Sequence, residues 1–210
     1  MKKFLLVLAA ALTAFVAVAQ TPEEILEKMD QAMEKGEAEG MVMTMTMKIP
    51  VLGSFPTKMY SLGKNSRAEV KAMGRQLILW EDSGTTWTYD KKKEEITIEY
   101  DGPDSSSDAQ EGLGMLDGVE DGYDLKLQKE TADSWLIICK KSKGNTNEDD
   151  PKKIEIAVYK GSYILKEMRA SMKGVTMIIN DVKFGVKEKD VTFDASQFPN
   201  ATIIDKREKK

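Results

Sequence analysis

Apolar residues recur at every second position through Met41–Ile49. Met41, Met43, Met45, Met47 and Ile49 therefore share one face of an extended strand, and Val42, Thr44, Thr46 and Lys48 take the other. A packed strand ordinarily uses Val, Ile or Phe on its inward face, because branched and aromatic side chains specify a pleated surface. Methionine is unbranched, flexible and polarizable, so four in a row make a soft wall that re-packs around guests of different shape. This stretch alone supports two readings: a core strand in a methionine-tolerant sequence, or one wall of an adaptable apolar cavity.

The same alternation runs through most of the chain. Strands are predicted over 57–62 and 66–73, and over 76–82 with Leu77 and Leu79 opposite to Ile78 and Trp80. Trp87 and Tyr89 point one way in Thr85–Asp90, and Ile96 and Ile98 alternate with charged and polar neighbours over 94–100. Tyr123, Leu125 and Leu127 alternate next, then 134–140, then Ile154, Ile156 and Val158. Segment 163–172 and Val175–Phe184 form a predicted hairpin about Lys173-Gly174, with Met168, Ala170 and Met172 on one face and Met177 and Ile179 together on the second arm. Short strands at 191–193 and 202–204 close the chain, giving about eleven strands joined by polar turns, an antiparallel meander. One helix precedes them. Thr21 suits the N-cap, Pro22 the first helical position and Glu24 a capping box; Ile25, Leu26, Met29, Ala32 and Met33 make an apolar stripe, and Gly36 is the expected stop. The rhythm breaks over 101–121, where Leu113, Met115 and Leu116 lie in a possible short helix interrupted by glycines. A flap over the sheet and an acidic surface loop both fit that segment.

The N-terminus changes the cellular picture. Lys2-Lys3, an apolar run from Phe4 to Val18 and Ala17-Val18-Ala19 have the form of a secretory signal cleaved after Ala19, leaving a mature chain from Gln20 with no cysteine there for a lipid anchor. Export to a periplasm is expected. Loss of Lys2 and Lys3 moves the formal charge from -4 to -6, an acidic balance that argues against a nucleic-acid partner. Cys139 stands alone in Trp135-Leu136-Ile137-Ile138-Cys139 and reads as a buried, inert thiol. Histidine is absent, which excludes Ser–His and Cys–His nucleophiles and removes the commonest metal ligand. Asn145-x-Asn147-x-Asp149 has the spacing of half a calcium loop but lacks the glycine at position six and has Ile156 where glutamate is needed. The chain is read as one domain, non-enzymatic, with no metal and no cofactor.

Two motifs carry a family resemblance. Glu81-Asp82-Ser83-Gly84-Thr85-Thr86-Trp87-Thr88-Tyr89-Asp90 resembles the D-G-x-x-x-W-x-Y turn and strand of the LolA-like periplasmic lipoprotein carriers. Phe193-Asp194-Ala195-Ser196-Gln197-Phe198-Pro199, running on to Asp205, is similar to that family's closing segment, with Asn200 where glycine is usual. The order of signal, amphipathic helix and antiparallel meander extends the resemblance over nearly the whole mature chain. It implies a mainly β (α+β) fold, an incomplete and strongly curved antiparallel barrel whose concave face is covered by the N-terminal helix and a short internal helix or flap. It also implies a carrier for acyl chains of lipoproteins or lipids, loaded by an inner-membrane transporter and unloaded at an outer-membrane receptor; a monomer is the default expectation. The family has an arginine before an aromatic strand that holds the lid closed, and Arg67 falls in that region. The proline and aromatics that follow it in the family are replaced here, with Ala68, Val70 and Ala72 in their places, and an exposed strand arginine is the competing reading.

The expected apolar cavity is lined by Met41, Met43, Met45, Met47, Ile49, Leu77, Leu79, Trp87, Met168, Met172, Met177 and Ile179, with Leu113, Met115, Leu116 and Arg67 at the lid. A one-residue slip would exchange Leu77 and Leu79 for Ile78 and Trp80. The alternative function is an envelope sensor or protein-interaction module on the same scaffold, with a filled core and a contact at Lys91-Lys92-Lys93 or at the acidic stretch 117–124.

Overall fold

A computed structural model of the chain describes residues 20–100, 102 and 119–207. Helix α1 (Pro22–Ala38) opens with the expected capping box: the Glu24 N–H donates to Thr21 Oγ1 at 3.2 Å, and the Thr21 N–H donates to Glu24 Oε2 at 3.3 Å. The helix does not stop at Gly36 but runs to Ala38. Gly36 is buried inside it because the Phe184 ring lies flat against the backbone, where any Cβ would fall within the ring.

Twelve strands follow: β1 (Met41–Ile49), β2 (Gly53–Leu62), β3 (Asn65–Ala72), β4 (Arg75–Asp82), β5 (Thr85–Asp90), β6 (Glu95–Tyr100), β7 (Tyr123–Glu130), β8 (Ser134–Lys141), β9 (Lys153–Tyr159), β10 (Leu165–Met172), β11 (Val175–Phe184) and β12 (Thr202–Asp205). Short helices α2 (Val119–Gly122) and α3 (Glu188–Val191) and a 3₁₀ turn at Ala195–Gln197 complete the described elements. All twelve strands form one open, curved sheet in the order β12-β6-β5-β4-β3-β2-β1-β11-β10-β9-β8-β7. It consists of two antiparallel meanders, β1–β6 and β7–β11, joined where β1 pairs with β11; only β12 is parallel to its neighbour, β6.

The inner face differs between the two halves. Over β7–β11 and the start of β1, α1 seals it: Ile25, Leu26, Met29 and Met33 pack with Met41, Met43, Ile137, Cys139, Ile154, Ile156, Val158, Met168 and Ile179, all buried. Each such side chain contributes about 1.5–3 kcal/mol relative to exposure. A bulge at β1–β11, where the register shifts between Val42 and Thr44 and Asp181 takes a positive φ of 56°, changes the alternation so that Val182 and Phe184 also reach this core.

The outer face of the β3–β6 half carries a second apolar cluster, and it corrects the expected strand at 191–193. There the chain makes the turn of α3, with Thr192 Oγ1 donating to Glu188 O at 2.8 Å, and Val191 is buried. Phe193 then meets Trp80 and Trp87, each with ring centroids 5.4 Å away, while Phe198 lies 5.6 Å from Trp80 and 4.4 Å from Tyr89. The two motifs that carried the family resemblance thus clasp each other across the outer face.

Candidate functional site

Antiparallel pairing carries the methionine face of β1 across the open half of the sheet. Met43 is opposite Met59, Met59 opposite Ala68, and Ala68 opposite Leu79. One level along, Met45 is opposite Thr57, Thr57 opposite Val70, and Val70 opposite Leu77. In the other direction Ser66, Glu81 and Thr86 form the next row. Leu77 and Leu79, not Ile78 and Trp80, therefore share the face of the methionines.

Between these rows lies a cavity of about 290 Å³, lined by Met45, Met47, Thr57, Met59, Ser66, Arg67, Ala68, Val70, Leu79, Trp80, Glu81 and Thr86. This is near the lower bound of about 300 Å³ for small-molecule sites, and like them it is apolar with a few polar groups. Its apolar end is Met45, Met47 and Val70; its polar end is Glu81 with Ser66 and Thr86. Small Ala68 between Met59 and Leu79 leaves room that an aromatic would fill. Met47 is 42% exposed, so part of this wall is open to solvent.

The expected lining residues separate into groups. Met45, Met47 and Leu79 meet at the cavity, and Leu77 lies beside it on the same face. Met41, Met43, Met168 and Ile179 are buried in the packed core beneath α1 instead, and Met177, paired with Met47, borders that core. Ile49 ends β1 opposite Gly53, away from the cavity. Met172 is 39% exposed at a hairpin end, in a polar groove with Lys153, Arg169 and Lys173. Trp87 faces outward: it opposes Trp80 on β4 and stacks on Phe193, so it is removed from the inner wall. Leu113, Met115 and Leu116 lie outside the described residues, as do the N-terminal signal segment and the side chains of Asp117, Glu120 and Asp121 in the acidic stretch 117–124.

Arg67 is also outward. Its guanidinium lies 5.2 Å from the Tyr60 ring and 5.6 Å from Trp80, pairs with Glu69 at 2.7 Å and reaches Asp190 O at 3.5 Å. It ties α3 to β2–β4, and its head group is thus turned from the inner face a lid would cover. Lining residues that the sequence reading does not pick out are Thr57, Met59, Ser66, Ala68, Val70, Trp80, Glu81 and Thr86. The alternation within β3 was their available signal, since Ala68, Val70 and Ala72 stand where the related pattern has bulkier residues.

The remaining chemistry is structural. Burial pushes the Cys139 thiol up to about 12, which keeps it protonated and inert. In the half calcium loop, Asn145 and Asn147 donate to Asp150 at 2.7 and 2.8 Å, and Asp149 pairs with Lys173. Among the described residues no group of three or more Asp, Glu, Cys or His could hold a metal ion.

No family model and no curated protein matches the chain. Solved structures do resemble it. An uncharacterized conserved protein from Thermus thermophilus is 14% identical with a TM-score of 0.44, over 89% of this chain and 100% of that one. A LolA superfamily protein from Nitrosomonas europaea is 14% identical with a TM-score of 0.33, over 83% and 99%. The Mycobacterium tuberculosis lipoprotein LppX is 10% identical with a TM-score of 0.47, over 76% and 94%. At such values they assign no family, ligand, activity or partner to the chain.

Proposed function

We propose that the protein is a non-enzymatic, exported carrier that holds one acyl chain of a lipid or lipoprotein in the open half of its inner face. The observation that supports this most directly is the division of that face: one half is closed by α1 and densely packed, the other presents a cavity walled by Met45, Met47, Met59, Val70 and Leu79. Burying one methylene there contributes about 0.8 kcal/mol, so even a partly inserted chain supplies ample gross affinity. Release is the harder task for a carrier, and flexible methionines in a partly open wall let the guest leave without one deep, rigid minimum. Glu81, Ser66 and Thr86 would receive the polar head of the guest. Delivery from an inner-membrane transporter to an outer-membrane receptor, by a monomer in the periplasm, accords with the motif resemblance.

The sensor or interaction-module reading is favoured by one observation, the packed core under α1, which uses four of the expected lining residues as structure. Native mass spectrometry of protein from a periplasmic extract, followed by titration with a fluorescent fatty acid, separates the two. A co-purified acyl-bearing species, or saturable binding at one site per chain, supports the carrier. A clean apo mass together with no fatty-acid or lipopeptide binding overturns it in favour of the module.

A further inference from the structure

Antiparallel pairing brings the β1–β2, β3–β4 and β5–β6 turns to the same rim of the half-barrel. The apolar end of the cavity, at Met45, Met47 and Val70, is the end nearer this rim. Three large apolar residues project from it: Val51 is fully exposed, and Leu52 and Met73 are 58% and 76% exposed.

Turn chemistry does not account for them. Val51 has φ 70° and Met73 φ 49°, in the left-handed region where a β-branched residue is a genuine outlier and Gly or Asn is favoured. The comparable turns Ser83-Gly84 and Lys173-Gly174 place a polar residue at the position that Met73 occupies before Gly74, with φ of 49° and 48°. Nor does packing account for them, since all three side chains are exposed.

Charge adds a second, independent observation. The protein is acidic overall, at -4, yet exposed Lys48, Lys71, Lys91, Lys92 and Lys93 flank these tips. The acidic groups there are Asp90, which Arg75 engages, and Glu94; Glu95, at the start of β6, pairs with Lys93 at 3.9 Å. Along the rim the next tip is mixed, with Lys173 held by Asp149, so the basic character is confined to these three turns.

We propose that this rim is a docking surface for an anionic lipid bilayer, with Val51, Leu52 and Met73 entering the headgroup–acyl boundary and the lysines binding lipid phosphates. Apolar tips ringed by lysines match both parts of such a surface: apolar area buried below the headgroups and cations within a Debye length of them. An acidic protein partner would use the lysines but gives no reason for strained, exposed apolar tips. The docking does not depend on what the cavity holds.

The test is flotation of the chain from Gln20, which contains every described residue, with vesicles of phosphatidylglycerol and phosphatidylethanolamine, and separately with phosphatidylcholine alone. The expected result is binding to the anionic vesicles at low salt that weakens at high salt and is lost on the neutral ones. Replacing the tips (Val51→Ser, Leu52→Ser, Met73→Ser) or reversing the lysines (Lys91→Glu, Lys92→Glu, Lys93→Glu) should each lower the bound fraction by about tenfold. Melting temperature and fatty-acid binding in vesicle-free solution should be unchanged, which keeps this result separate from any failure of the cavity. Absence of binding to anionic vesicles overturns the proposal. So does binding that needs the lysines but not the tips, the outcome expected of an acidic protein partner.

Discussion

Met43 and Met47 lie on the same face of the same strand and have different work. Met43 is 3% exposed beneath α1, and Met43→Ala should cost about 2–5 kcal/mol in chemical denaturation, the range for a large-to-small change in a packed core. Met47→Glu should leave the denaturation midpoint nearly unchanged and weaken fluorescent fatty-acid binding by tenfold or more, about 1.4 kcal/mol or greater. Equal losses of stability in the two variants would remove Met47 from the site. Alternation revealed that these residues share a face, but not where along the strand the helix ends its cover. Trp87 illustrates the same limit: its neighbour β4 is apolar on both faces, with Leu77 and Leu79 opposite to Ile78 and Trp80, so alternation alone does not say which face Trp87 joins, and its ring packs on the distant Phe193. A further residue-scale outcome concerns acid. The Lys166 ammonium, at 2.8 Å, and then the hydroxyls of Thr131 and Ser134 hold the Asp133 carboxyl well below the usual carboxylate range. A carboxyl depressed in the folded state stabilises above its unfolded value of about 3.9, and that gain is lost as pH falls toward the folded value. Asp133→Asn should therefore lower the melting temperature at neutral pH, with the gap to the parent narrowing below about pH 4. A gap constant with pH would show that the carboxylate charge is not the cause.

At the scale of elements, α1 depends on one glycine. Alanine is the better helix former by about 1 kcal/mol, so Gly36→Ala should stabilise an isolated helix. Here a methyl would collide with the Phe184 ring, and the variant should be destabilised on thermal melting, with partial recovery when Phe184→Leu is added. Sequence could place the start of this helix, because capping is local, but not its end, because the reason for Gly36 comes from β11. The strands were legible for the same reason as the cap: period-two patterns and two-residue turns located β1, β5 and β11 at their observed limits. Pro56 hides the first four residues of β2. It is tolerated because β3 pairs with β2 only from Thr57 onward, so at Pro56 the strand has β1 alone as its partner. In the segment 191–193 the alternation of Val191 and Phe193 imitates a strand, whereas Val191 is buried in a helix that packs on β2 and β3 and Phe193 serves a clasp whose other side lies on β4 and β5.

For the whole molecule, the packed core and the proposed acyl site lie in different halves of one sheet. The α1-covered half supplies the core, so the cavity can be empty without loss of fold, and a bound guest would add stability only by mass action. The seam between the halves has a temporal consequence. β1 and α1 leave the ribosome early, yet the second neighbour of β1 is β11, and the floor on which α1 packs is β7–β11. Apart from β2, the partners of these N-terminal elements are made last. A chain ending at Gly174 should accordingly show no cooperative thermal transition by circular dichroism, and the full chain should refold in milliseconds to seconds, as for other sheets dominated by distant pairing. During synthesis the nascent protein stays unfinished until its final strands appear, which, under the export proposed above, would lengthen the interval in which a translocation machine can thread it.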